Sequence, residues 1–286
     1  MIEQFDRANI VHIRGVDHPE SIGIGPHGEA FTTGTGCQVY RVNLDKNTVE
    51  QFATTEARCL GSAVDADGNL YLAHTAGNVL KITRDGQVSV YATGPGGAKF
   101  MCSNYPAFDR QGNMYLSDSG DWSHTVNGHL YKIRPGGGEA ELWFPEPVNT
   151  PNAIALDADE AHLYFVETFG NAIARVAIKP DGSAGSFERV VHMPRHIPDG
   201  IAFDIEGRLW IGCHRPDAIY CFDLGSRRLE LFCHDWMGDA LRGPTDVAFA
   251  GPDRDILLAA SLDNLVVHRF DDTGVVGLKL NHPKLF

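Results

Sequence analysis

The sequence has no CxxC pair among its six cysteines (37, 59, 102, 213, 221 and 233) and no apolar stretch near 18 residues. Its first fifteen residues, MIEQFDRANIVHIRG, contain no apolar core of the kind a signal peptide carries. Together these absences predict a cytoplasmic protein with reduced thiols rather than a membrane protein. The competing reading is an exported chain with three disulfides. Clustered positive charge is also missing: the basic residues are scattered and the net charge is −13. That argues against nucleic acid or an anionic membrane as partner, and it favours solubility and an attraction for cations. No amphipathic helical segments alternate with the apolar runs, which removes TIM-barrel and Rossmann architectures. No GxSxG elbow is present, and neither Ser21 nor Ser103 has an identifiable basic partner, so serine catalysis is disfavoured.

What the chain does have is turns and a repeat. Its 31 glycines and 15 prolines are spread evenly over 286 residues, which suits many short connections within one domain, residues 1–286. The stretch Arg195 to Cys213, RHIPDGIAFDIEGRLWIGC, reads as two short apolar strands around a tight turn. Five counterparts align with it: ESIGIGPHG, LGSAVDADG, NYPAFDRQG, NAIALDADE and TDVAFAGPD. The six units start at residues 20, 60, 104, 152, 199 and 245, spacings of 40, 44, 48, 47 and 46. Each is followed by a further apolar strand and an alternating segment, and several by a fourth strand. Four short strands per unit, six units and a period in the forties predict an all-β, six-bladed β-propeller. The sixth unit lacks an outer strand after Phe270. The β-rich run Ala8 to Ile13 is expected to supply it and close the ring, with Gly274 to Leu280 as its competitor.

The first residue of each unit is Glu20, Leu60, Asn104, Asn152, Asp199 or Thr245, so five of six carry a side-chain oxygen. In a propeller the first strand of a blade lies nearest the axis, and these positions would ring one end of the tunnel. A water-filled tunnel would also make them polar. Two carboxylates meeting two amides with no Lys or Arg in the ring is more specific, because the carboxylates repel unless a cation lies between them. The donors are hard oxygens, with no His or Cys. This favours Ca²⁺, with Mg²⁺, Mn²⁺, Fe²⁺ or Zn²⁺ as alternatives and a tetrahedral structural zinc disfavoured. DADG at 65–68 matches only a fragment of a calcium loop and reads as turn chemistry. Strand direction puts the loops after the second strands on the same rim. Those loops bring His74, Asp118, His214 and Arg215 there as candidates, together with the long blade-three loop SDSGDWSHTVNG as a lid or substrate wall.

Four segments, PES at 19–21, SNYPAFDRQGNMY at 103–115, PNAIALDADEAHLYF at 151–165 and IPDGIAFDIEGRLWIGC at 197–213, resemble the regucalcin/gluconolactonase/luciferin-regenerating enzyme family of six-bladed propellers. The resemblance implies that Glu20, Asn152 and Asp199 are the protein ligands of a catalytic divalent metal, and that Asn104 faces substrate or water beside it. One departure stands out. The sugar-lactone pattern R-x-N-D is replaced by Cys102, Asn104 and Tyr105, which puts hydroxyl-rich sugars in doubt. Phe100, Met101, Tyr105, Trp122 and Phe169 would instead form an apolar wall suited to a less polar lactone or ester. The expected function is a metal-dependent lactonase, a monomer or small homo-oligomer acting on a small molecule. Asp199 would be the general base, Asn104 a holder of developing oxyanion charge and His214 a reserve proton carrier. A non-catalytic calcium-binding propeller and a metal-dependent lyase or isomerase are the rival readings.

Overall fold

A computed structural model describes residues 2–285 as six antiparallel sheets arranged around an axis. Blade one holds β2 (Ile22–Ile24), β3 (Ala30–Thr33), β4 (Gln38–Asn43) and β5 (Thr48–Thr54). Blade two holds β6 (Cys59–Val64), β7 (Leu70–His74), β8 (Asn78–Ile82) and β9 (Val88–Thr93). Blade three comprises β10 (Ser103–Phe108), β11 (Met114–Asp118), β12 (Gly128–Ile133) and β14 (Glu141–Val148). Its connecting β13 (Gly138–Glu139) reaches back to pair in parallel with β9. Blade four is β15 (Pro151–Leu156), β16 (His162–Glu167), β17 (Ala172–Ile178) and β18 (Ala184–His192). Blade five is β19 (Pro198–Phe203), β20 (Leu209–Cys213), β21 (Ala218–Asp223) and β22 (Arg228–His234). Blade six has three strands of its own, β23 (Pro244–Ala250), β24 (Ile256–Ser261) and β25 (Val266–Phe270).

The fourth strand of blade six is β1 (Val11–Arg14), antiparallel to β25 with His12 opposite His268. The expected closure by the N-terminal run therefore holds. The competing segment after Gly274 does something else: it straps the turn end of the tunnel. Ile205 N donates to Val276 O (2.9 Å), Leu278 N to Phe203 O (2.9 Å), Asn281 Nδ2 to Phe108 O (2.9 Å) and Ala66 N to Pro283 O (3.0 Å). Gly277 makes this crossing feasible, since a β-carbon there would stand 2.1 Å from Phe249. Beneath the strap the tunnel holds a cavity of about 130 Å³ with a mainly apolar lining, Val64, Phe108, Ile154, Phe203, Phe249 and Leu278 among it.

The apolar periodicity is consumed between blades. Six buried clusters occupy the six blade interfaces, such as Trp210, Ile219 and Phe232 of blade five against Val247, Phe249 and Leu257 of blade six. The innermost strands β2, β6, β10, β15, β19 and β23 pack each against the next around a full circle. Both faces of a blade are thereby covered, so middle strands such as β20 (LWIGC) are buried at every position instead of alternating.

The recurrent turn aspartate has a structural use. Asp65 accepts the N–H groups of Asp67 (3.0 Å) and Asn69 (2.9 Å) and the Tyr71 hydroxyl (2.9 Å). Asp204 accepts Glu206 N (3.0 Å), Arg208 N (2.9 Å) and Trp210 Nε1 (2.9 Å). These carboxylates organise the hairpin turn, as DADG predicted. Converting Asp204 to Ala would strand those donors in a buried site. It should cost about 2–4 kcal/mol, read as a lowered urea midpoint; a loss under about 0.5 kcal/mol would contradict this role.

His268 marks the seam where the ring closes. It is fully buried, its Nε2 accepts Arg242 N (3.4 Å) and its Nδ1 lies 3.1 Å from Nδ1 of His12. Burial, and then the proximity of His12, depress its pKa to about 3. The unfolded chain therefore binds more protons below pH 6.5, and stability is lost as pH falls from there toward 3. Denaturation midpoints should decline between pH 6.5 and 5, with a shallower decline in His268→Phe. Identical slopes for the two proteins would refute the assignment.

Candidate active site

The inner strands begin at the open end of the tunnel, and the residues at their starts converge there. Glu20 lies two residues before β2, and its side chain is 17 % exposed. Its main chain is held by Thr245, whose Oγ1 donates to Glu20 O (2.9 Å), so the threonine hydroxyl serves the neighbouring blade rather than the axis. Asp199 lies at the start of β19 and its Oδ1 accepts Asn152 Nδ2 (2.6 Å). The same amide nitrogen donates to Thr168 Oγ1 (3.2 Å), which donates onward to Pro198 O (3.3 Å). Blade three repeats the device: Asn104 Nδ2 donates to Ser119 Oγ (2.8 Å), and Ser119 Oγ to Pro151 O (2.8 Å). In both blades the amide nitrogen is anchored to protein. Each Oδ1 is free of a donor among the described residues and available to a ligand.

The electrostatics are those of a site short of positive charge. Burial, followed by repulsion from Glu20 and Asp246, holds the Asp199 carboxyl well above the usual carboxylate range. Burial also raises Glu20, against the opposing pull of Arg58 and His214. Beneath them Asp246 accepts Ile22 N (2.8 Å), Val247 N (2.9 Å) and the Tyr105 hydroxyl (2.9 Å), and burial lifts it to about 7. Among the described residues no three His, Cys, Asp or Glu side chains gather as a metal-holding group. A cation here would have to use two carboxylates and the Asn152 amide oxygen. Those are hard oxygen donors whose mutual repulsion a divalent ion would relieve, so the residues fit such an ion.

Around this ring the rim candidates separate into two layers. His214 lies beside Glu20, its Nε2 3.4 Å from Asp263 Oδ2. Arg215 also reaches Asp263 (2.5 Å) but is 65 % exposed. Burial alone would raise Asp263; His214 and Arg215 together hold it below the usual range. Trp122 and Phe169 meet edge to face at 5.6 Å, His124 stacks on Phe169 at 4.1 Å, and Trp122 Nε1 donates to Cys102 Sγ (3.3 Å). The long blade-three loop thus forms one wall. Asp118 is buried, with its oxygens taken by Met101 N (2.8 Å), Cys102 N (2.7 Å) and Gly120 N (3.1 Å), which fixes the base of that loop. His74 is buried too. Its Nε2 accepts Ala57 N (3.1 Å) and its Nδ1 faces Asn78 Oδ1 (2.9 Å), so both ring nitrogens are engaged with protein.

Tyr105 crosses the tunnel from blade three to Asp246 of blade six and also lines the cavity below. Gly61 permits this: a β-carbon there would stand 2.4 Å from the Tyr105 ring. The expected apolar wall needs one correction, because Phe100 is buried against Tyr131 in the core between blades two and three, while Met101 is exposed. The six cysteines are all free thiols. Three site groups escaped the reading of the repeat: Arg58, Asp246 and Asp263. Arg58 lies two residues before blade two's ring position and Asp246 one after blade six's, so inspection of the flanking positions would have found them. Asp263 belongs to the loop between β24 and β25, and its pairing is visible only in three dimensions.

Comparison with known proteins agrees with this architecture. The lactonase drp35 of Staphylococcus saprophyticus is 23 % identical over 80 % of this chain and 74 % of its own length. Protein STRICTOSIDINE SYNTHASE-LIKE 6 of Arabidopsis thaliana is 24 % identical over 71 % of this chain and 58 % of its own. The chain spans about 60 % of several other relatives, including the Staphylococcus haemolyticus lactonase drp35. Among solved structures, a gluconolactonase from Xanthomonas campestris superposes with a TM-score of 0.76 at 17 % identity, covering 94 % of this chain and 89 % of that one. Regucalcin from Agrobacterium tumefaciens, described as a calcium-binding protein, superposes with a TM-score of 0.76 at 18 % identity, covering 95 % of each chain. The profile of the SMP-30/Gluconolactonase/LRE-like region matches residues 31–263, and the chain belongs to that family.

Proposed function

We propose that the protein is a divalent-metal-dependent lactonase, with Glu20, Asn152 and Asp199 holding the ion. The observation that carries this reading is the pair of largely buried carboxylates at the tunnel mouth, both pushed up in pKa, with an amide oxygen beside them. Membership of a family that includes lactonases and a calcium-binding protein supports it. Ca²⁺ is the first candidate, with Mg²⁺, Mn²⁺, Fe²⁺ or Zn²⁺ as alternatives. When bound, the ion would act as a Lewis acid on the ester carbonyl and make water easier to deprotonate.

The protein's own groups supply the rest. Asp199 would take the proton from water, a role supported by its hydrogen bond from Asn152 at one oxygen and by the rise in its pKa on burial. Asn104, its nitrogen fixed by Ser119, can orient water or substrate at the ring. His214, paired with Asp263, is the candidate to return a proton to the leaving alkoxide. Trp122 and Phe169 provide an apolar wall that excludes water. In this reading Asp118 and His74 position the loops behind the site, Tyr105 closes its floor, and Arg215 orients Asp263 from the surface. The substrate is a small lactone or related ester.

Glu20→Gln and Asp199→Asn should each weaken metal binding by at least about 100-fold and abolish lactone opening. Elemental analysis after dialysis and a pH-indicator assay over a panel of lactones read the two effects. Variants retaining both metal and turnover would disprove the proposal. Stoichiometric metal with no hydrolysis across the panel would identify a binding protein instead.

A further inference from the structure

Among the described residues Arg58 is the guanidinium that pairs with a ring carboxylate, and the reaction outlined above gives it no task. It reaches from blade two to Glu20 Oε2 of blade one, and its charge is felt at Asp199 and Cys102. The guanidinium thus lies against the ring acid Glu20, with its side chain 33 % exposed. Its Nε is shut off from solvent and has no hydrogen-bond partner among the described residues. With Nε shielded, a ligand oxygen would pair with the Nη groups at the tip of the partly exposed side chain. The segment carrying Arg58 is held firmly: Ala57 N donates to His74 Nε2 (3.1 Å), while Thr75 N and Thr75 Oγ1 both donate to Arg58 O (2.9 Å each). His74 and Thr75 thereby act on the site through Arg58.

Charge balance points the same way. Glu20 and Asp199 match the two charges of the divalent ion proposed above, Arg215 is matched by Asp263, and Asp118 is occupied by three N–H groups. With the ion in place, Glu20 would be shared between the ion and Arg58, which leaves the guanidinium with donors for a further anion; its planar donor set suits a carboxylate. We propose that Arg58 is a specificity residue that receives a carboxylate carried by the substrate, so that the substrates are lactones bearing an anionic group next to the ring ester. This rests on the lactonase reading of the same site.

The test compares γ-butyrolactone with 5-oxotetrahydrofuran-2-carboxylate, the same ring with one carboxylate added. The Ca²⁺-loaded protein should show a higher kcat/KM for the carboxylate lactone, and Arg58→Gln should reduce the carboxylate-to-neutral ratio by about 100-fold. Arg58→Lys, which keeps the ion pair with Glu20, should reduce it by about tenfold, a result that stands even if the Gln variant fails to fold. A ratio unchanged by both substitutions would overturn the proposal and leave the lactonase reading intact. Calorimetry with the non-hydrolysable tetrahydrofuran-2-carboxylate separates the two claims. Binding weakened at least tenfold by Arg58→Lys or Arg58→Gln, in a protein that opens no lactone, would sustain the anion site and reject the lactonase. Binding indifferent to both substitutions would reject the anion site.

Discussion

The tunnel mouth depends on one strand pairing, that of Val11–Arg14 with Val266–Phe270. A propeller whose last blade lacks an outer strand has an unpaired edge and a weak joint between its first and last blades. Here chain segments more than 250 residues apart meet with His12 opposite His268, and Ile13 enters the apolar cluster between blades six and one. Only with that seam shut do Glu20 of blade one and Thr245 of blade six come within hydrogen-bond distance. Glu20, the first residue of the ring, is thus placed by the last blade.

Hydroxyl groups carry this registration around the ring. Ser21 Oγ donates to Leu60 O (2.5 Å), Ser117 Oγ to Asn152 O (2.7 Å) and Thr245 Oγ1 to Glu20 O (2.9 Å), each from one blade to the next. Behind them buried apolar side chains fill the blade interfaces, so the axial residues cannot drift without opening a core. Rigidity of this kind permits two carboxylates to be kept near each other despite their repulsion. The fold holds that repulsion in place, and under the proposed function a divalent ion would relieve it.

The mouth also distributes its charges unevenly among blades. Blades one and five carry the ring acids, blades three and four the amides, and blade two an apolar Leu60 with Arg58 beside it. That asymmetry gives the pocket a direction: carboxylates on one side, a guanidinium reaching across, and an aromatic wall of Trp122 and Phe169 rising from blades three and four. At the far end the C-terminal strap and Tyr105 divide the tunnel, so the apolar cavity of about 130 Å³ lies below the ring.

The repeat determined the number of blades and the six ring positions Glu20, Leu60, Asn104, Asn152, Asp199 and Thr245, and it offered two segments to close the ring, because a period in the forties is a local property of the chain. The turn role of Asp65 and Asp204 was legible for the same reason: a carboxylate caps N–H groups only two to four residues away. Tertiary structure alone decided what those ring residues touch. It gave Arg58 to Glu20, turned Thr245 toward a neighbouring backbone, consumed His74 and Asp118 in holding loops, and laid the C-terminal segment across the tunnel instead of into a blade. These outcomes depend on side chains from different blades meeting at an axis, where no sequence spacing reports the distance between them.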